Sequence, residues 1–387
     1  MKRALALLVG AFVLLAAPAP VTAAVAAPKR ITATPGTLVL IGGANSDPDI
    51  FAEVVRLAGG ANAKIGVLST SSAIPNSSAK DAIKDLKAAG AADAVWIPVT
   101  EKKTGSGDDP ANVALAQGMT GFYFTGGDQI RYVNVMIHSD GTDGAVLAAI
   151  RAKFQAGAPL AGTSAGMQIM SGPDMITGGD SYRGIRDGAV VGWYPTDEQL
   201  GYLPAGGFGF VTSGLVDTHF GARSRHGRSI RLAADTGHDR VYGVDENTAL
   251  EISGTGQMTV IGQNGVSVLD LAPATVGTVG GRWSISGVRW DYLKAGDAYN
   301  PATRTVIPGH APVAPADKAA AAPSADIFGA GALVASAVDL AGSGRSTSTT
   351  GDSAETGPQF TVELSKLSGF VNYGGSFTGL AFAVHVK

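Results

Sequence analysis

The pentapeptide Gly162-Thr163-Ser164-Ala165-Gly166 is where this sequence holds the makings of a reaction. A small, apolar run, Ala158–Ala161, precedes it with the character of a buried strand, and a helix-compatible segment follows. Gly-x-Ser-x-Gly between strand and helix is the nucleophile-elbow pattern, in which the glycines permit a turn that exposes the serine in a strained backbone position. The free N–H groups that open the helix can then stabilise an oxyanion. An alcohol nucleophile needs a base, usually histidine. The chain has six: His138, His219, His226, His238, His310 and His385. His138 sits at a helix end among Ser and Asp, His238 in a turn, and His310 and His385 in a linker region and at the terminus. His226 is flanked by Arg225 and Arg228, whose charge depresses an imidazole pKa. His219 instead follows the apolar strand Gly214-Leu215-Val216 in Asp217-Thr218-His219-Phe220, and is the expected base. The orienting acid is expected from Asp245-Glu246, after the apolar run Val241–Val244; pattern does not choose between them, and Asp217 is a further candidate. The order Ser…His…acid departs from the α/β-hydrolase order, Ser…acid…His.

The elements that must position these groups follow a repeating pattern of strand, Gly-rich turn and helix from Thr37 onward. Strands are expected at Leu38–Ile41, Ile65–Ser69, Ala94–Val99, Phe122–Thr125 and immediately before Ser164. Helices are expected at Asp49–Ala58, through Ala79–Ala89, and at 129–138 and 143–155. Apolar runs alternating with amphipathic helices predict an α/β fold with a doubly wound, mostly parallel sheet. Ligands bind such sheets at the carboxyl ends of the strands. The Gly-rich breaks at 42–43, 126–127 and 162–166 should therefore lie along one edge. After about Gly178 the strand-like pieces shorten (Val211–Asp217, Ala249–Ile252, Met258–Ile261), predicting the rest of the sheet plus β additions. Trp283–Trp290 and Tyr292–Leu293 are expected to form a closing hairpin. Residues 311–325 are Ala/Pro-rich and read as a linker; 326–387 are a C-terminal appendage, a small β unit or a tail.

Composition narrows the function classes. A chain of 387 residues, 45% hydrophobic and 16% charged with a formal net charge of -3, has enough apolar content for a large core and no basic excess to hold nucleic acid. There is no cysteine, which excludes disulfides and thiolate chemistry. No HExxH motif or cluster of metal-ligand residues occurs, so neither metal nor cofactor is expected. Residues 1–27 combine a basic start, a short apolar run and small-x-small cleavage patterns, and read as a signal peptide. The mature chain, with its main domain over 28–310, is expected to be secreted or periplasmic and free of the membrane after cleavage. The segment Phe220–Arg231 concentrates Arg223, Arg225, Arg228 and Arg231 in an otherwise slightly acidic chain. Arg225, Arg228 and Arg231 are spaced to share one helical face, and guanidinium forks beside the base suit a carboxylate-rich substrate.

Four motifs, FTGGDQIR (124–131), GTSAG (162–166), DTHFGARSRHGR (217–228) and DENTAL (245–250), in that order, resemble the cyanophycinase family of serine peptidases, relatives of the aspartyl dipeptidases. The resemblance spans roughly residues 37–305. It implies a flavodoxin-like or class I glutamine-amidotransferase-like sheet, Ser164 as nucleophile, His219 as base and Glu246 as acid. It further implies an oxyanion hole from the N–H groups of Gly127 and Ala165, and substrate contacts from Gln129, Asp217, Arg223, Arg225 and Arg228. The implied substrate is cyanophycin, a poly-aspartate backbone bearing arginine in isopeptide linkage, or else short Asp-containing peptides; a homodimer is an open expectation. The first glycine loop, Gly42–Asp47, lacks the acidic-basic ending of intracellular members.

Overall fold

Short apolar runs buried on both faces build the centre of the molecule. The computed structural model describes residues 36–194 and 196–387, so the expected signal peptide over 1–27 lies outside the described residues. In chain order the first half carries β1 (Leu38–Ile41), α1 (Pro48–Leu57), β2 (Lys64–Leu68), α2 (Pro75–Ala88), β3 (Asp93–Trp96), α3 (Pro110–Gln117), β4 (Gly121–Phe124), α4 (Ile130–Met136), α5 (Ala145–Gln155), β5 (Leu160–Thr163) and α6 (Ala165–Gln168). Local chemistry sets these boundaries. At α1, Asp47 caps the helix by accepting the Asp49 N–H, and Pro48 occupies the first turn.

The remainder adds β6 (Met175–Ile176), α7 (Ser181–Asp187), β7 (Ala189–Val191), β8 (Leu200–Leu203), β9 (Leu215–Asp217), α8 (His226–Thr236), β10 (Arg240–Val244), β11 (Thr248–Ile252), β12 (Met258–Gly262), β13 (Gly265–Asp270), β14 (Thr275–Val279) and β15 (Arg282–Lys294). It ends with β16 (Ala298–Asn300), β17 (Thr305–Ile307), α9 (Ala332–Gly342), β18 (Ser348–Asp352), β19 (Phe360–Asn372) and β20 (Phe377–Val386). The first sheet runs β17-β16-β12-β11-β1-β5-β4-β2-β3. From β1 to β3 every pairing is parallel, so the ends of β1, β5 and β4 are neighbours along one edge. The α/β class and parallel sheet agree with the sequence.

The β additions are larger than expected. β9 and β10 pair with each other in parallel, but in a second sheet, ordered β18-β19-β20-β15-β13-β10-β9. The expected hairpin of Trp283–Trp290 with Tyr292–Leu293 is instead one strand, β15. Its hairpin partner is β14, joined through Gly280 and Gly281, both at positive φ (54° and 72°) as a two-residue turn of this kind requires. Residues 311–325 hold no helix or strand, only isolated bridges at Ala316 and Ser324. Beyond them β20 pairs with β15. Phe360, Phe377 and Phe382 share a hydrophobic cluster with Trp290. No helix among the described residues is long and apolar enough to cross a membrane.

Candidate active site

Three consecutive carbonyls at the end of β1 organise the site. Ile41 O accepts the Ser164 N–H (3.0 Å), Gly42 O accepts the His219 N–H (2.7 Å), and Gly43 O accepts the Asn247 N–H (3.0 Å). The three donors have positive φ (52°, 49° and 50°), a strained region for residues with a side chain. Ser164 stands between β5 and α6, as an elbow demands, but α6 is a single turn. Individual N–H groups rather than a helix macrodipole therefore face the serine. Gly43, at φ 110°, is where the chain passes the imidazole, and a Cβ there would overlap the His219 ring.

Ser164 Oγ lies 2.8 Å from His219 Nε2, and His219 Nδ1 lies 2.7 Å from Glu246 Oε1. The histidine and the acid thus reach the serine from the second sheet. His219 follows β9, and Glu246 lies where the chain crosses from β10 to β11, that is, from the second sheet to the first. Asp245 faces elsewhere: it accepts the Gly221 N–H (2.6 Å) and the Tyr292 hydroxyl (2.7 Å), and burial raises its pKa to about 6. It ties the turn after His219 to β15. Burial holds the His219 imidazole below its ordinary value, with Arg223 and Arg225 adding to the effect and the Glu246 hydrogen bond opposing it. The neutral ring, able to accept a proton, is the favoured form.

Gly127 and Ala165 border the same cavity as Ser164, a space of about 400 Å³. Ala165 opens α6, so its N–H has no intrahelical acceptor. The Gly127 N–H has no protein acceptor among the described residues. Gly127 has φ 144°, and a Cβ would strike the Ser71 carbonyl. Ser71 clamps this loop: its hydroxyl donates to Thr125 O and Gly126 O (2.8 Å each), and its carbonyl accepts the Asp128 N–H (2.9 Å). Ser71 follows β2, a strand C-terminus whose Ser69-Thr70-Ser71-Ser72 run was the available signal in the sequence.

The arginines divide. Arg223 is exposed and Arg225 half-buried on the cavity wall, with Arg225 donating to Thr218 O (2.8 Å). Arg228 also borders the cavity, yet it is committed to the fold, donating to Asp217 Oδ2 (2.8 Å), Asp217 Oδ1 (2.6 Å) and Gly179 O (2.6 Å). Asp217 is fully buried and is not brought to the cavity wall. Burial pushes its carboxyl pKa up, but Arg228 and Arg225 outweigh that and hold it below the usual range. Arg231 pairs with Asp235 and stacks on Trp283, so the expected common arginine face does not form. Gln129 lines the cavity with its Nε2 donating to Ile176 O (3.0 Å). His226 is a core residue between Phe220 and Trp290; burial, not the flanking arginines, lowers its pKa to about 3.

A parallel sheet that presents a strained serine at a strand end, met there by an imidazole and a carboxylate from the second sheet in one hydrogen-bonded line, defines an α/β protein with a hydrolase-type site. Residues 106–260, which contain all three groups, match Peptidase family S51. The chain is 31% identical to a cyanophycinase from Trichormus variabilis over 201 residues, 50% of this chain and 61% of that protein. It is 26% identical to a cyanophycinase from Geminocystis herdmanii over 286 residues, 70% of this chain and 96% of that protein. The first alignment therefore spans less than two thirds of the relative's length. A solved peptidase from an acI-B1 Actinobacterium shares the fold, with a TM-score of 0.50 and 19% identity over 68% of this chain and 96% of that one. The resemblance in the sequence is borne out: the chain is related to Peptidase family S51 and to the cyanophycinases.

Proposed function

We propose that this protein is a serine-type peptidase that hydrolyses cyanophycin and releases β-Asp-Arg dipeptides. The observation that carries this reading is the line Ser164–His219–Glu246, with contacts of 2.8 and 2.7 Å, opening on a cavity bordered by Arg223 and Arg225. Ser164 Oγ attacks a backbone carbonyl of the polymer while His219 Nε2 takes its proton. The N–H groups of Gly127 and Ala165 receive the oxyanion. His219 then gives the proton to the leaving amine, and water, activated by the same ring, frees the acyl group. Glu246 fixes the tautomer and stabilises the imidazolium. Arg223 and Arg225 attract the carboxylates that every arginine of the polymer carries. Export through the leader at 1–27 belongs to the same reading, and N-terminal sequencing of protein recovered outside the cell checks it.

The test is incubation with purified cyanophycin and mass-spectrometric identification of the soluble product. Ser164→Ala is expected to fold normally and to lose activity by about 10⁴-fold or more, as removal of a serine nucleophile does. A fully active Ser164→Ala variant would overturn the mechanism. Turnover of Asp-X dipeptides with none of the polymer would replace the polymer by short peptides.

A further inference from the structure

Asp245, which opens the motif DENTAL, takes no part in the proton transfers, yet it touches each element that meets behind the catalytic line. Its Oδ1 accepts the N–H of Gly221 (2.6 Å), two residues beyond His219, and the intervening Phe220 donates its N–H to Val244 O (3.2 Å). The turn that carries the base is thereby stitched twice to the strand end that carries the acid. The Asp245 N–H donates to Gly265 O (3.1 Å) at the start of β13. Its carbonyl packs against the end of β1, where a Cβ on Gly42 would lie 2.1 Å away. Its Oδ2 accepts the Tyr292 hydroxyl (2.7 Å) from β15. Both side chains are buried, Asp245 at 5% and Tyr292 at 4% exposure. Two glycines permit the approach: a Cβ on Gly221 would lie 2.8 Å from Asp245 Oδ1, and one on Gly265 would lie 2.3 Å from the Tyr292 ring. On its other side the Tyr292 ring packs against Phe377 of β20, with centroids 5.8 Å apart.

Taking a carboxylate out of water is costly, and apolar side chains fill a core without that cost. What the carboxylate adds is two fixed directions from one rigid group. One oxygen holds the base's turn, the other is held by β15, and the next residue along the chain is Glu246. We propose, on the serine mechanism given above, that Asp245 and Tyr292 are positioning residues for the Ser164–His219–Glu246 line. They set the imidazole against its acid without touching substrate. His219 bonds Ser164 at 2.8 Å and Glu246 at 2.7 Å, so a turn that drifts lengthens both contacts at once. Misplacement of this kind costs activity out of proportion to stability. β15, which lies outside all four sequence motifs, thereby gains a part in catalysis through one hydroxyl.

The test reads Ser164 itself and needs no polymer. It measures how fast a fluorophosphonate labels the full-length protein, Ser164 Oγ displacing fluoride from phosphorus as its proton passes to His219. Tyr292→Phe deletes one oxygen and is expected to lower the limiting labelling rate about tenfold, the loss of one hydrogen bond to a charged group. The reagent concentration for half-maximal rate should not change, at a temperature where circular dichroism shows the variant folded. Asp245→Ala should lower the limiting rate about 10²-fold. Asp245→Asn should recover most of that loss, because its amide oxygen still accepts the Gly221 N–H while its NH₂ group meets the Tyr292 oxygen. Adding Tyr292→Phe to Asp245→Ala should cost nothing further, since both act through one bond. A folded Tyr292→Phe protein labelled at the wild-type limiting rate, or altered only in the half-maximal concentration, overturns the proposal whether or not Asp245→Ala folds. Wild-type protein that takes no label overturns the serine mechanism instead, and this assignment with it.

Discussion

His219 and His226 stand seven residues apart, and their surroundings give them opposite work. His219 is partly open at a cavity and touches Ser164 and Glu246; His226 is sealed between Phe220 and Trp290. Because burial and two nearby arginines depress the His219 pKa, the acidic limb of the kcat/KM profile is expected below the ordinary histidine value of 6.5. Arg223→Ala removes one of those charges and should move the limb upward; a limb that stays in place would detach Arg223 from the base. His226 sets a stability prediction. Burial lowers its folded pKa to about 3, against the ordinary histidine value of 6.5. Above 6.5 the ring is neutral in both states, and as pH falls below that the unfolded chain takes up a proton that the fold refuses. Stability is therefore lost at up to about 1.4 kcal/mol per pH unit until the folded pKa is reached. Asp245 acts with the opposite sign, since its raised folded pKa favours the fold as pH falls through about 6. The difference between wild type and His226→Phe isolates the histidine: the variant's unfolding midpoint should fall less between pH 6.5 and pH 4 by denaturant titration.

At the scale of elements, the end of β1 is the part of the site with the fewest side chains and the most consequences. Its carbonyls hold the serine, histidine and acid turns, and Gly43 gives the imidazole its space. Gly43→Ala should lower kcat/KM by about 10²-fold through displacement of His219. Backbone strain at φ 110° should cost only about 1–3 kcal/mol of stability, measurable by denaturant unfolding. Near-normal activity in Gly43→Ala would show that the ring does not depend on this close approach. The Gly42-Gly43 break was visible in the sequence as a strand C-terminus, and so were the breaks after β4 and β5, because apolar runs punctuated by glycine are local signals. The role of the three carbonyls was not visible, since a backbone acceptor carries no residue signature. Glu246 could not be told from Asp245 by pattern because adjacent carboxylates differ only in which way the crossover from β10 to β11 turns them. Asp217 looked available because it directly precedes the histidine turn, but β9 is buried on every side and turns it toward Arg228.

For the whole molecule, the division between the α/β unit that carries the site and a C-terminal appendage dissolves at β15. Residues 326–387 read only as a small β unit or a tail, because β20 finds its partner β15 far away in sequence, and strand pairing at that distance leaves no local trace. β20 hydrogen-bonds to β15, whose other edge carries β13 and so leads to β10, the strand that delivers Glu246. Phe360, Phe377, Leu380 and Phe382 have no exposed surface and belong to the same hydrophobic cluster as Trp290 and Tyr292. At about 1.5–3 kcal/mol for each fully buried large apolar side chain, these four alone contribute roughly 6–12 kcal/mol. That is comparable to the whole stability of a typical domain, about 5–15 kcal/mol. Deleting 326–387 would also leave β15 as a long edge with unpaired N–H and C=O groups, a template for aggregation. The chain ending at residue 325 is therefore expected to be insoluble or unfolded by circular dichroism and to lack hydrolytic activity. A soluble product melting within a few degrees of the full chain would mean that the second sheet holds its shape, and Glu246 its place, without the strands that complete it.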